Sequence, residues 1–103
     1  MAKFIALWGH PDDIPGFEKH YREVHIPLCH KWPGVESMTT TQISGTATGD
    51  PAPYHLVFEA TFESANALRD ALKSPEMMAA GKDAVGIAKQ YGARPTMLVG
   101  DDL

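Results

Sequence analysis

The amino-acid sequence predicts a single ferredoxin-like α+β domain over residues 1–103, with the element order β-α-β-β-α-β and one antiparallel four-stranded sheet. Two observations carry this prediction. Four segments alternate in the way that strands do, and the segments between them place apolar residues at helical spacing. A chain of 103 residues also has room for only one core.

The N-terminal third predicts a strand followed by a helix. Residues 3–9 (KFIALWG) alternate and are largely apolar on both faces, which indicates a strand. Residues 10–16 (HPDDIPG) have turn chemistry, in which Asp12 or Asp13 can cap the helix and Pro15 suits its first turn. An apolar stripe at helical spacing follows, made of Phe17, Tyr21, Val24, His25 and Leu28.

The rest of the chain predicts three strands and a second helix that is split in two. Residues 35–46 are rich in threonine and alternate, and residues 54–63 form a second long strand. Ser64 can cap a helix that runs to about Lys73. Ser74-Pro75 can start the next helix, and Tyr91-Gly92 can end it. Residues 94–100 are predicted to form the last strand.

The predicted sheet has two apolar faces, but two helices can cover only one of them. Large exposed apolar patches usually mark interfaces, so we expect a homodimer in which two sheets pack face to face. The residues expected on the uncovered face are several of Ile5, Leu7, Val57, Met97 and Val99, or their alternates along each strand.

The composition argues against several functional classes. The net charge is −4 and the nine Lys and Arg residues form no basic run, so a nucleic-acid partner is not expected. No apolar stretch approaches the roughly 18–20 residues that span a bilayer, so no membrane partner is expected either. With no signal-peptide layout and one cysteine, we expect a cytoplasmic protein. No nucleotide-binding or zinc-protease motif occurs, so neither a cofactor nor a metal is predicted.

An ordered set of motifs resembles the EthD family and covers nearly the whole chain. The motifs are PDD at 11–13, HIPL at 25–28, PG at 33–34, YHLVFEATFES at 54–64 and SPEMMAAGKD at 74–83. The resemblance implies a dimeric α+β barrel and a context of oxidative ether degradation. Relatives in that superfamily include cofactor-independent monooxygenases, lactone isomerases and haem-degrading enzymes, so the fold alone does not determine the chemistry.

His25 is the candidate proton-transfer residue, with Tyr21 orienting it or donating a hydrogen bond to it. An imidazole on the flank of a buried stripe can act as a general acid or base. The alternative is a core histidine whose nitrogens are satisfied by Tyr21 or a backbone carbonyl. The matching position in the family motif favours a pocket role. The residues expected to contact a small-molecule substrate are Trp8, Leu28, Tyr54 and Phe58, although aromatics at strand spacing are also typical of core.

Three further features of the segment 21–34 remain open or argue against a site. Pro27 either kinks the helix beside His25 or ends it early. Cys29 has the spacing of a Cys–His nucleophile, but without a third orienting group it is more typical of a small buried residue. His20, His25 and His30 are five residues apart, about 140° around an α-helix, so we do not expect them to converge on a metal.

Two functional hypotheses follow. In the first, the chain is an enzyme of small-molecule catabolism, with a pocket between the first helix and the sheet for an apolar or aromatic oxygenated compound. Its reaction is either cofactor-independent oxygenation or isomerisation by proton abstraction next to a carbonyl. In the second, it is a non-catalytic accessory protein that binds a metabolite or supports a partner oxygenase. A ligand-sized cavity beside His25 is the feature that would favour the first.

Overall fold

The computed structural model describes residues 1–103 and contains one four-stranded sheet with its helices on one side. The strands are β1 (Ala2–Trp8), β2 (Val35–Gln42), β3 (Leu56–Phe62) and β4 (Pro95–Asp101). The helices are α1 (Ile14–His20), α2 (Ile26–Cys29), α3 (Ala65–Leu72) and α4 (Pro75–Tyr91), and a π-helical turn (Tyr21–His25) joins α1 to α2.

The strand order is β2-β3-β1-β4 and every neighbouring pair is antiparallel, which confirms the predicted ferredoxin-like fold. The predicted strands at 35–46 and 54–63 are both shorter in the structure. The segment between them contains Gly45 and Gly49, together with Pro51 and Pro53, and these residues favour turns over strand pairing. The first helical segment, predicted to end at Pro33-Gly34, ends earlier, at Cys29, and the remaining boundaries agree with the predictions to within about two residues.

The helix-covered face of the sheet forms the core. β1 and β3 bury every second residue against the helices, as the alternation predicts. On α4 the buried residues recur at helical spacing and face this layer. The core side chains from the two central strands are Ala2, Phe4, Ala6, Trp8, Leu56, Phe58, Ala60 and Phe62.

The opposite face of the sheet is apolar at its centre, but its composition differs from the prediction in β4. The register sets Met97 beside Ala6 and Val99 beside Phe4, so both lie on the helix side. Leu98, beside Ile5, is the β4 residue on the uncovered face. Of the alternates left open for β4, Leu98 lies on the uncovered face and Met97 and Val99 do not, since a shift of one residue turns every side chain of a strand to the other face.

The start and stop signals of α3 and α4 are confirmed. The Ser64 hydroxyl accepts a hydrogen bond from the Ala67 N–H at 3.1 Å, and the Ser74 hydroxyl accepts one from Met77 at 3.2 Å. Gly92 ends α4 with φ of 75°, a conformation that glycine adopts without strain. None of the helices is sufficiently long and apolar to cross a membrane.

Candidate functional site

The helical segment that follows β1 changes its winding at the candidate site. The Ile26 N–H donates to the carbonyl of Tyr21, five residues earlier, which defines the π-helical turn. Pro27 has no N–H to donate to Glu23, so an α-helical bond is missing here in any case. The helix then continues through Pro27 to Cys29, and the alternative that Pro27 ends the helix is wrong.

The π-helical turn also alters which residues face the core. Phe17, Tyr21, His25 and Cys29 are all at least 95% buried, so the buried positions recur every fourth residue. Val24, predicted on the apolar stripe, is instead 41% exposed. The helical-wheel prediction failed at Val24 because it assumed α-helical winding throughout.

His20 and His25 converge on one carboxylate, that of Asp83 in α4. The Nε2 of His20 lies 2.9 Å from Oδ1 and 3.1 Å from Oδ2 of Asp83. The Nδ1 of His25 lies 2.9 Å from Oδ2. Regular α-helical winding would place His20 and His25 about 140° apart, and the π-helical turn that ends at His25 reduces this angle, so the two rings can meet at Asp83 although His30 does not join them. No set of three or more histidine, cysteine or carboxylate side chains is arranged to hold a metal ion.

The bond to Asp83 defines the chemical state of His25. A carboxylate accepts, so Nδ1–H of His25 donates to it and the neutral ring carries its lone pair on Nε2. Burial lowers the pKa of His25, Asp83 partly opposes that effect, and the charge of His20 lowers the pKa further. Nε2 has no hydrogen-bond partner in the chain and is not among the fully occluded polar atoms. His25 is therefore a neutral imidazole at neutral pH with its basic nitrogen available.

A cavity of about 150 Å³ lies beside His25, between the sheet and α4. It contains no lysine, arginine or carboxylate among its lining residues. Of the predicted substrate contacts, Trp8 and Phe58 line it, whereas Leu28 and Tyr54 do not. The complete lining is Phe4, Ala6, Trp8, His25, Cys29, Trp32, Phe58, Leu72, Met77, Met78, Ala80, Gly81, Ala84 and Met97.

Tyr21 packs against His25 without forming a hydrogen bond to it. Its ring centroid lies 5.2 Å from that of His25, with the planes 32° apart, and Trp8 meets His25 edge-on at 5.6 Å. The Tyr21 hydroxyl is buried with no partner, and burial raises the pKa of Tyr21 above its usual range. Tyr21 does not line the cavity, and its contact with His25 is one of ring packing.

Cys29 lines the cavity one helical turn after His25 and is 1% exposed. Burial raises the pKa of its thiol to about 12, and the negative charge of Asp83 acts in the same direction. The thiol is therefore protonated at neutral pH and is a poor nucleophile. This environment agrees with the interpretation of Cys29 as a small packed side chain.

Sequence reasoning missed Asp83 as a partner of His25. Asp83 lies within the family motif SPEMMAAGKD, but it was given no role there. A local signal exists, because Asp83 follows the buried Ala80 by three positions and precedes the buried Ile87 by four. An acidic residue on the buried stripe of a helix is uncommon unless it has a partner. The sequence could not show which partner that is.

The comparisons with known proteins agree with the predicted resemblance. The model of the EthD domain matches residues 15–90 of this chain. The chain belongs to the EthD family. A crystal structure of an EthD family protein from Bacillus halodurans is 34% identical, with a TM-score of 0.87 over 100% of this chain and 99% of the other.

Other similar proteins are more distant. An uncharacterized 11.0 kDa protein from the thcB-thcC intergenic region of Rhodococcus erythropolis is 28% identical over 85% of this chain and 84% of its own length. SnoaB from Streptomyces nogalater, a cofactor-independent oxygenase, is 12% identical with a TM-score of 0.66, over 99% of this chain and 92% of that one. Two further structures with this fold are described as dimeric. At these low identities the structural matches establish the shared fold alone.

Proposed function

We propose that this chain is a small-molecule enzyme in which His25 transfers a proton to or from an apolar or aromatic oxygenated compound bound in the cavity. One observation carries the proposal. A buried, neutral imidazole that lines an apolar cavity has one nitrogen held by Asp83 at 2.9 Å, and its other nitrogen has no hydrogen-bond partner in the chain. A carboxylate that orients a histidine in this way is typical of general acid–base sites.

The size and lining of the cavity support a neutral ligand of about one ring. An engineered apolar cavity of about 150 Å³ in another protein binds benzene, and the cavity here is also about 150 Å³. The lining residues include no lysine or arginine. A carboxylate or phosphate buried there would therefore lose its hydration without gaining an opposite charge. Methionines at positions 77, 78 and 97 line the cavity and can adapt to ligands of different shape.

Isomerisation is the simpler of the two reactions that suit this site. The Nε2 lone pair of His25 would accept a proton from carbon next to a carbonyl, and the C–H electron pair would move towards the carbonyl oxygen as an enolate. The imidazolium would then return the proton to another carbon. Oxygenation would need molecular oxygen as the oxidant, and the shared fold with the cofactor-independent oxygenase SnoaB supports it. Neither reaction requires a nucleotide cofactor.

The decisive experiment is a screen of the purified protein with small aromatic, quinone and lactone compounds, in which both binding and turnover are followed. We expect at least one neutral compound to be converted by the parent protein. We expect His25→Gln to bind that compound and to convert it far more slowly. Binding by both proteins with no turnover by either would favour the alternative, a non-catalytic accessory or metabolite-binding protein.

Two glycines of α4 provide a matched test of the cavity. Gly81 lines the cavity, Gly86 does not, and at both positions an added Cβ would meet open space. Replacing either glycine by leucine improves helix propensity by a similar amount. We expect Gly81→Leu to abolish ligand binding and Gly86→Leu to leave it unchanged. Equal binding by the two variants would show that the ligand lies elsewhere.

The proposal includes a homodimer formed through the uncovered face of the sheet. Ile5, Leu7 and Val57 are half-buried there and Leu98 is 45% exposed, so a monomer would leave an apolar patch in water. We expect sedimentation at micromolar concentration to report about twice the chain mass of 11.2 kDa. Leu98→Glu should give monomers. The matched control is Val99→Glu, because Val99 follows Leu98 but lies on the helix side of the sheet, and this variant should remain dimeric. A monomeric parent protein would contradict this assembly.

A further inference from the structure

Asp83 joins two histidines, but only His25 lines the cavity. His20 is 23% exposed at its side chain, compared with 7% for His25 and 18% for Asp83. The three side chains therefore connect a partly solvated imidazole, through one carboxylate, to the buried imidazole at the cavity. The proposed function uses His25 and Asp83 but gives His20 no role.

We propose that His20 is a positioning residue that controls, through Asp83, how readily His25 takes up a proton. This inference deepens the proposed function. It rests on that function only for the catalytic role of His25, and the coupling of His20 to His25 is independent of it. The geometry is specific, because the Nε2 of His20 lies within 3.1 Å of both oxygens of Asp83. Its N–H therefore holds the carboxylate plane so that Oδ2 faces Nδ1 of His25.

The shared carboxylate also couples the two histidines electrostatically. When His20 is protonated, its positive charge neutralises the negative charge of the Asp83 carboxylate. A second proton, on His25, would then place two positively charged rings against one carboxylate. Protonation of His20 therefore disfavours protonation of His25.

No other charged side chain lies within ion-pair distance of His20, His25 or Asp83. The neighbouring side chains from β1, the helical segment and α4 are aromatic rings and one thiol. These neighbours are Trp8, Tyr21, Cys29 and Tyr91. The response of His25 to pH should therefore depend mainly on Asp83 and His20.

The test is an NMR titration of the histidine side chains in the ligand-free protein, with His25 assigned from its absence in His25→Gln. We expect the His25 titration of the parent protein to depart from a single step, because both histidines share the Asp83 carboxylate. In His20→Gln the amide can still donate to Asp83 but cannot become charged. We expect a single His25 step there, at a higher midpoint, because the charge of His20 no longer lowers the pKa of His25.

His30→Gln is the matched control, because His30 is exposed on the same helical segment and takes no part in the Asp83 cluster. We expect its His25 titration to match that of the parent. A folded His20→Gln protein whose His25 curve superimposes on the parent curve would overturn the proposal.

A second variant keeps the proposal testable if His20→Gln fails to fold. His20→Asn also replaces the imidazole with an amide that cannot become charged, so we expect it to raise the His25 midpoint as well. An unchanged His25 midpoint in a folded His20→Asn protein would overturn the proposal. Neither titration uses turnover. Unchanged turnover in His25→Gln would therefore refute the proposed function and leave the titration result standing.

Discussion

Two buried histidines of this molecule have the same kind of partner but different surroundings. His25 is 5% exposed and its Nδ1 lies 2.9 Å from Asp83. His55 is 6% exposed and its Nε2 lies 3.1 Å from Glu18. Each also meets an aromatic ring edge-on, Trp8 for His25 and Phe17 for His55. Burial and a carboxylate partner therefore do not distinguish the two.

The difference lies in what each ring adjoins. His25 borders the apolar cavity, whereas His55 lines no described cavity. The backbone of His55 instead connects segments, because its N–H donates to the carbonyl of Trp8 and its carbonyl accepts from Ile43. A buried histidine–carboxylate pair becomes a candidate catalytic group only where the second nitrogen can meet a ligand.

The largest expected effect is on the rate of the reaction once a substrate is known. His25→Gln should lower turnover by about 10²–10⁴-fold, the usual contribution of a general acid or base. His55→Gln is the matched control and should change turnover by less than about tenfold, since His55 does not reach the cavity. Steady-state kinetics of both variants gives the comparison. Equal losses in the two would remove the distinction between the histidines.

A smaller effect is expected on stability. His25→Gln should lower the free energy of unfolding by less than about 1 kcal/mol at pH 8, because a glutamine amide can still donate to Asp83 and orphans no buried group. Thermal and denaturant unfolding measure this directly. If the variant unfolds far below the parent protein, His25 belongs to the core and loses its place in the proposed mechanism.

The stability of the protein should also depend on pH through His25. The pKa of His25 is lower in the folded state than its ordinary value of 6.5, so below about pH 6.5 the unfolded chain binds more protons. The contribution of neutral His25 is therefore complete above about pH 7.5 and is lost as the pH falls from about 6.5 towards the folded pKa. His25→Gln should reduce this acid dependence and leave the slope near pH 8 unchanged. Identical slopes at acid pH in both proteins would contradict the lowered pKa.

The smallest effect is expected for Cys29. It lies at the cavity beside His25, but its pKa of about 12 keeps the thiol protonated at neutral pH. Cys29→Ala should change turnover by less than about tenfold, whereas loss of a nucleophile would cost a hundredfold or more. A thiol reagent should label the native protein slowly and the unfolded chain rapidly. A loss of a hundredfold in Cys29→Ala would identify Cys29 as the reacting group instead.

The candidate site was predictable only in part. His25 follows from its position on the buried stripe and from the family motif, and Trp8 and Phe58 follow from strand alternation. Leu28 and Tyr54 do not line the cavity. Tyr54 precedes β3 instead of lying within it, and Leu28 follows a turn whose winding departs from the α-helix on which its position was predicted.

The sequence by itself determined the element order, the helix caps and the alternating core of β1 and β3. These features depend on neighbours a few residues apart, such as Ser74 and Met77, so a local pattern contains the necessary information.

Only the tertiary structure decided the chemistry around His25. Its partner Asp83 is 58 positions away along the chain, and α4 must pack against the first helical segment before the two side chains meet. The π-helical turn also departs from regular α-helical winding, so a helical wheel drawn for an α-helix cannot predict which side chains face the core there. For this reason the sequence could propose His25 but not its pairing with Asp83, the convergence of His20 on that carboxylate, or the cavity beside the His25 ring.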